Sequence, residues 1–96
     1  MIVKIEGKIK TFAAWKKMVH ENADKVKKYG ITMIYAGSTK DDETKFIAII
    51  DFATMEGLQG FKGDEELHKA RAAAGVDLAS SVTTMMGDDC LVGYKG

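Results

Sequence analysis

Ile31-Thr-Met-Ile-Tyr-Ala-Gly37, Ser38-Thr-Lys-Asp-Asp-Glu-Thr44 and Lys45-Phe-Ile-Ala-Ile-Ile-Asp-Phe52 set two apolar runs around a wholly polar insert. Both runs are short and rich in β-branched and aromatic residues, and polar or glycine clusters bound them, which is the signature of strands. The insert has the length of a wider hairpin turn. The reading therefore predicts antiparallel strands over 31–37 and 45–52. Upstream, Phe12, Trp15, Val19, Asn22, Val26 and Tyr29 recur at three- and four-residue steps, with Met18 and Ala23 beside them. That period predicts an amphipathic helix over 11–29. Thr11 stands at its N-cap, Gly30 just past its end, and Lys25, Lys27 and Lys28 crowd its last turns, where the dipole favours cations. Before it, residues 2–9 alternate, with Val3, Ile5, Gly7 and Ile9 on one face. Downstream, Thr54 caps a helix predicted over 54–74 and broken near Gly63, where Asp64 can cap the second half. Glu65 and Glu66 fall in that half's first turn, and Leu67, Ala70, Arg71 and Ala74 share a face before Gly75 ends it. Segments Ser81–Met86 and Cys90–Tyr94 read as extended, separated by a Gly87-Asp88-Asp89 turn. The order β-α-β-β-α-β is the ferredoxin-like α+β plan: one domain over 1–96, a four-stranded antiparallel sheet, and both helices on one face.

Composition narrows the function classes. The chain has 96 residues with 14 Lys+Arg against 14 Asp+Glu, so its formal charge is zero. Broad binding to nucleic acid or an anionic membrane needs a basic surplus, and neither partner is expected. No apolar run reaches the roughly 20 residues of a membrane span, and the N-terminus alternates too early to read as a signal peptide. The single cysteine, Cys90, excludes an internal disulfide and a cysteine-built zinc site, which makes a reducing cytoplasm the expected compartment. No Ser/His/Asp pattern, metal-ligand spacing or glycine-rich phosphate loop is present.

In a sheet covered by helices on one side, the other side should be polar if water faces it. Here Ile31, Met33 and Tyr35 alternate with Ile34 and Ala36, and Phe46, Ala48, Ile50 and Phe52 alternate with Ile47 and Ile49. Both faces of the sheet's middle are apolar, and two-fold pairing with a second copy through the open face is the expected burial. Lys4 and Glu6 point to that face and should find partners there or lie at its rim.

The Phe46–Phe52 run, the capped turn after it, Leu58, Phe61, Asp64, Leu67 and the closing Ala74-Gly75-Val76 resemble the dimeric α/β-barrel superfamily, which includes the antibiotic-biosynthesis and haem-degrading monooxygenases. Phe12-x-x-Trp15, Gly30-Ile31, Gly37, Lys40-Asp41-Asp42 and Lys45 are closer still to small bacterial members of that superfamily without an assigned function. The resemblance spans nearly the whole chain, and its motifs are structural. It implies a homodimer whose sheets face each other, with a ligand cavity between sheet and helices in each subunit. The haem-degrading branch resembles itself in an asparagine near the end of strand one, a tryptophan ending strand three and a histidine on helix two. Those places fall near Gly7, Phe52 and Arg71 here, so no haem and no other cofactor is expected. The cofactor-free oxygenase branch implies an apolar cavity with a few groups that stabilise a substrate anion.

The candidate ligand-binding residues are Trp15 and Asn22 from helix one, Phe52 from strand three, and His68 and Arg71 from helix two. Asn22 lies within the apolar stripe, where a buried amide needs a partner: a backbone carbonyl, a water or a ligand. His68 lies at the edge of its helix's apolar face, and a solvated or capping role competes with ligand binding there. Arg71 can equally pack its stem and solvate its head. His20 is expected to be exposed. Six methionines suit a plastic cavity and an ordinary core alike. Three functions stand open: a homodimer binding a small apolar or aromatic molecule, a cofactor-independent monooxygenase, and an interaction dimer with a filled core.

Overall fold

A computed structural model describes all residues, 1–96, in the order β1 (Ile2–Lys8), α1 (Phe12–Glu21), α2 (Ala23–Lys28), β2 (Ile31–Thr39), β3 (Asp42–Phe52), α3 (Met55–Gly63), α4 (Glu65–Ala73) and β4 (Asp77–Met85). The strands form one sheet, β2-β3-β1-β4, in which every neighbouring pair is antiparallel. This is the ferredoxin-like α+β fold.

The caps follow the sequence. Thr11 Oγ1 accepts from the Ala14 amide at 3.2 Å, Thr54 Oγ1 from Gly57 at 3.0 Å, and Asp64 Oδ1 from Leu67 at 2.9 Å. Each satisfies an amide that the first turn leaves free. Gly30 and Gly75 sit at φ 63° and 95°, the left-handed region where a side chain would be strained. The helix predicted over 11–29 is two helices. At Asn22 the backbone turns to φ −115°, ψ 29°, and its side-chain Nδ2 donates to the Met18 carbonyl at 2.8 Å. A short amide side chain competing with the backbone for a helical carbonyl is a local reason for such a break. The second break falls at Asp64, as the sequence suggests.

The hairpin is tighter than the polar insert implies: β2 runs on to Thr39, β3 begins at Asp42, and only Lys40 and Asp41 turn. The register shifts between Met33, opposite Ile50, and Tyr35, opposite Ile49. Strict alternation puts Tyr35 beside Met33 and Ala36 beside Ile34. The shift reverses this, since an extra residue in one strand flips everything after it. Ala36 packs toward the core, and Tyr35 turns outward over Gly37, where an added Cβ would meet its hydroxyl at 2.7 Å. The last strand is also displaced. It spans Asp77–Met85, crossing β1 with a shift between Glu6 and Lys8, and Cys90–Tyr94 forms no strand.

The core lies between sheet and helices. Val3, Ile5, Phe46, Ala48, Ile50 and Phe52 supply the sheet side, with Trp15, Met18, Leu58 and Leu67 above them. The opposite face carries Ile2, Ile47, Ile49 and the half-exposed Tyr35 and Val82. Lys4 and Glu6 pair with each other on it at 3.4 Å. Residues Met86–Gly93 run beside Ile2, Ile34 and Ile49, bordering a shallow groove, while Leu91, Val92 and Tyr94 stay exposed.

Candidate functional site

A cavity of about 50 Å³ lies between the helices and the inner face of the sheet. A buried water needs roughly 10–15 Å³ on this measure, so the space is small but real. Its walls come from most of the fold. Trp15 and Met18 reach down from α1, Phe46 rises from β3, Phe61 comes from α3 and Arg71 from α4, with Asn22 at the α1–α2 break. Trp15 is fixed by its neighbours: its ring stacks on Phe12 at 5.5 Å between centroids and tilts against Phe46 at 4.7 Å. Such aromatic pairs hold ring orientation as well as burying area. Met18 and Met33 give the wall its flexible part.

Three polar side chains enter this apolar shell: Asn22, Lys25 and Arg71. Asn22 spends one amide hydrogen on Met18, and its carbonyl oxygen makes no hydrogen bond within the protein. Lys25 is committed elsewhere, donating to Asp64 at 3.0 Å and Glu66 at 3.3 Å. Arg71 has no carboxylate partner; its guanidinium carbon stands 5.7 Å from the Phe61 ring centroid, a cation–π contact. Burial lowers its pKa from the ordinary guanidinium value, though an arginine keeps its charge regardless.

Of the sequence candidates, the fold thus brings Trp15, Asn22 and Arg71 together in one wall. Phe52 lies elsewhere: it is wholly buried, packs on Phe61 at 5.5 Å, and does not border the space. His68 also lies outside the wall, its Nε2 donating to the Lys62 carbonyl at 2.7 Å and tying α4 back to α3. His20 is exposed.

The sequence reading missed a polar clamp on the helix side of the cavity. Asp64 accepts from the Tyr29 hydroxyl, the Leu67 amide and Lys25. These bonds, the tyrosine's first, hold its carboxyl well below the usual carboxylate range. The Asp64 carboxylate in turn raises Tyr29, and it raises Lys25 as well. The clamp fastens the end of α2 to the α3–α4 break and so fixes how Phe61 and Arg71 approach the sheet. Asp64 was legible as a cap, but nothing in spacing pairs it with Tyr29. No group of three or more His, Cys, Asp or Glu side chains is placed to hold a metal ion.

No family model matches the chain, and no curated protein does. Solved structures do. A candidate antibiotic biosynthesis monooxygenase from Nitrosomonas europaea superposes with a TM-score of 0.63 at 18% identity, over 94% of this chain and 100% of its own. The fold is that of the antibiotic biosynthesis monooxygenases. A second such candidate, from Caulobacter crescentus, gives 0.58 at 20% identity over 86% of this chain and 85% of its own. A third antibiotic biosynthesis monooxygenase gives 0.59 at 13% identity over 91% and 97%. At 13–20% identity the likeness is one of fold.

Proposed function

We propose that the protein is a homodimer, joined through its open sheet faces, whose subunits each bind a small apolar or aromatic molecule in the cavity beneath α1 and α2. The observation that carries the reading is the cavity itself, apolar throughout except where Asn22, Lys25 and Arg71 enter it. An apolar enclosure with a few directed polar groups is the usual form of a small-molecule site. The resting space of about 50 Å³ is smaller than the roughly 150 Å³ of a cavity that takes benzene, so a single ring or a short branched chain enters only as Met18 and Met33 move aside. The outward Ile47, Ile49, Tyr35 and Val82 support the dimer, and the lone cysteine fits a reducing cytoplasm.

Native mass spectrometry of the purified protein, followed by Trp15 fluorescence titration with single-ring aromatics, tests the reading. A bound aromatic quenches Trp15, and Asn22→Ala weakens binding more than it weakens folding. If no molecule co-purifies and no member of the panel alters Trp15 emission, the ligand reading falls and the interaction dimer replaces it. The second reading is a cofactor-independent monooxygenase, favoured by the descriptions of the structural neighbours. Oxygen uptake with an anthrone-type or quinol substrate separates it from simple binding.

A further inference from the structure

We infer that the cavity's ligand carries a carboxylate, and that Arg71 is its counter-charge; the inference rests on the binding reading above. The cavity wall contains two cations and no carboxylate. Lys25 is already neutralised by Asp64 and Glu66, which stand behind it. Arg71 is half-buried on α4, makes no ion pair, and donates no side-chain hydrogen bond. Its one favourable polar contact is the Phe61 ring, whose centroid lies 5.7 Å from the guanidinium carbon. A cation taken part-way out of water without a partner is costly. A carboxylate reverses that cost, because the guanidinium fork matches its two oxygens in a bidentate pair. Asn22, on the same wall, has a carbonyl oxygen without a partner, which suits a ligand hydroxyl or amide and not a second anionic group.

A neutral hydrocarbon would fill the space and leave Arg71 as it is. A small apolar acid satisfies both halves of the site at once: its ring or branched chain lies against Trp15, Met18 and Phe46, and its carboxylate meets Arg71.

The probes are benzoate and phenylacetate, with benzamide and benzyl alcohol as neutral counterparts, titrated at about pH 7 with Trp15 emission and ligand-observed NMR as readouts. Charge-assisted bonds of the usual strength predict that the wild type binds the acids about 10- to 100-fold more tightly than the neutral molecules. Arg71→Met, which keeps the apolar stem, should abolish that preference, weakening the acids about 10- to 100-fold more than it weakens benzyl alcohol. Arg71→Lys should recover part of it. If acids and neutral molecules bind alike, and Arg71→Met changes neither, the carboxylate inference is overturned while the cavity reading survives. If none of the four binds, the carboxylate inference is overturned, and the cavity reading falls with it when no molecule co-purifies either. Far-UV circular dichroism of each variant confirms that the comparison is made between folded proteins.

Discussion

Gly57 sits in the first turn of α3, buried against the backbone of Tyr29. A Cβ added there would overlap the Tyr29 carbonyl oxygen and lie 3.0 Å from its carbon. Exchanging glycine for alanine within a helix ordinarily gains about 1 kcal/mol. Overpacking costs about 1–3 kcal/mol, and the upper end applies where the obstacle is backbone that cannot rotate aside. Gly57→Ala should therefore lose about 2 kcal/mol net, which in a domain of this size lowers the melting temperature by roughly 8–16 °C. Gly63, at the other end of α3, is the internal control, because a Cβ there meets nothing within 4 Å. Gly63→Ala should gain about 0.5–1 kcal/mol. Urea and thermal unfolding, followed by circular dichroism at one fixed protein concentration, measure both. If Gly57→Ala matches or exceeds Gly63→Ala in stability, α3 does not pack on Tyr29 as described and the account of the clamp above it fails.

Ile47→Asp places a carboxylate directly opposite Glu6 on the open face; light scattering should read twice 10.5 kDa for the wild type and a single chain or an aggregate for the variant. The Asp64 carboxyl is depressed in the folded state, so the unfolded chain takes up more protons in acid, and stability present above about pH 4 should fall as the pH drops below it. Asp42, lowered chiefly by the Thr44 hydroxyl, acts in the same sense, so Asp64→Asn should flatten only part of the acid limb of the urea midpoint. Tyr29 and Lys25 are raised, so their share of stability is intact below about pH 10 and lost as they deprotonate above it, a limb that Tyr29→Phe should reduce in an alkaline titration.

The hairpin Ile31–Phe52 and the caps at Thr11, Thr54 and Asp64 were legible because each depends on residues close in sequence. What escaped depends on partners far away. The register shift near Ile34 is set by pairing with β3, so alternation within β2 alone placed Tyr35 on the wrong face. The start of β4 at Asp77 rests on pairing with Lys8 across most of the chain, and a polar Ser-Ser stretch gave no local sign of it. Asn22 was legible as an anomaly in its stripe; that it splits the helix follows from its side chain reaching Met18. For the site, period-2 reasoning put Phe52 on the inner face, where it is, but could not give its position along the sheet, which sets it beside Phe61 and away from the cavity. Arg71 and Trp15 meet because two amphipathic faces converge on one sheet, and that convergence was readable.

The strand order also dictates how this chain reaches its fold. Only β2 and β3 are neighbours both in sequence and in the sheet; β1, at the centre, pairs Lys4 with Ile49 on one side and Thr84 on the other. Both contacts require closing long loops before any pairing is gained, which places folding in the slower range for domains of this size, about milliseconds to seconds. With no proline in the chain, peptide-bond isomerisation adds no slow step to that search. Until β1 inserts, β3 is an unpaired edge presenting Ile47-Ala48-Ile49-Ile50 to other chains. Recovery after dilution from denaturant should therefore fall as protein concentration rises, while the rate at which surviving molecules regain their core stays the same.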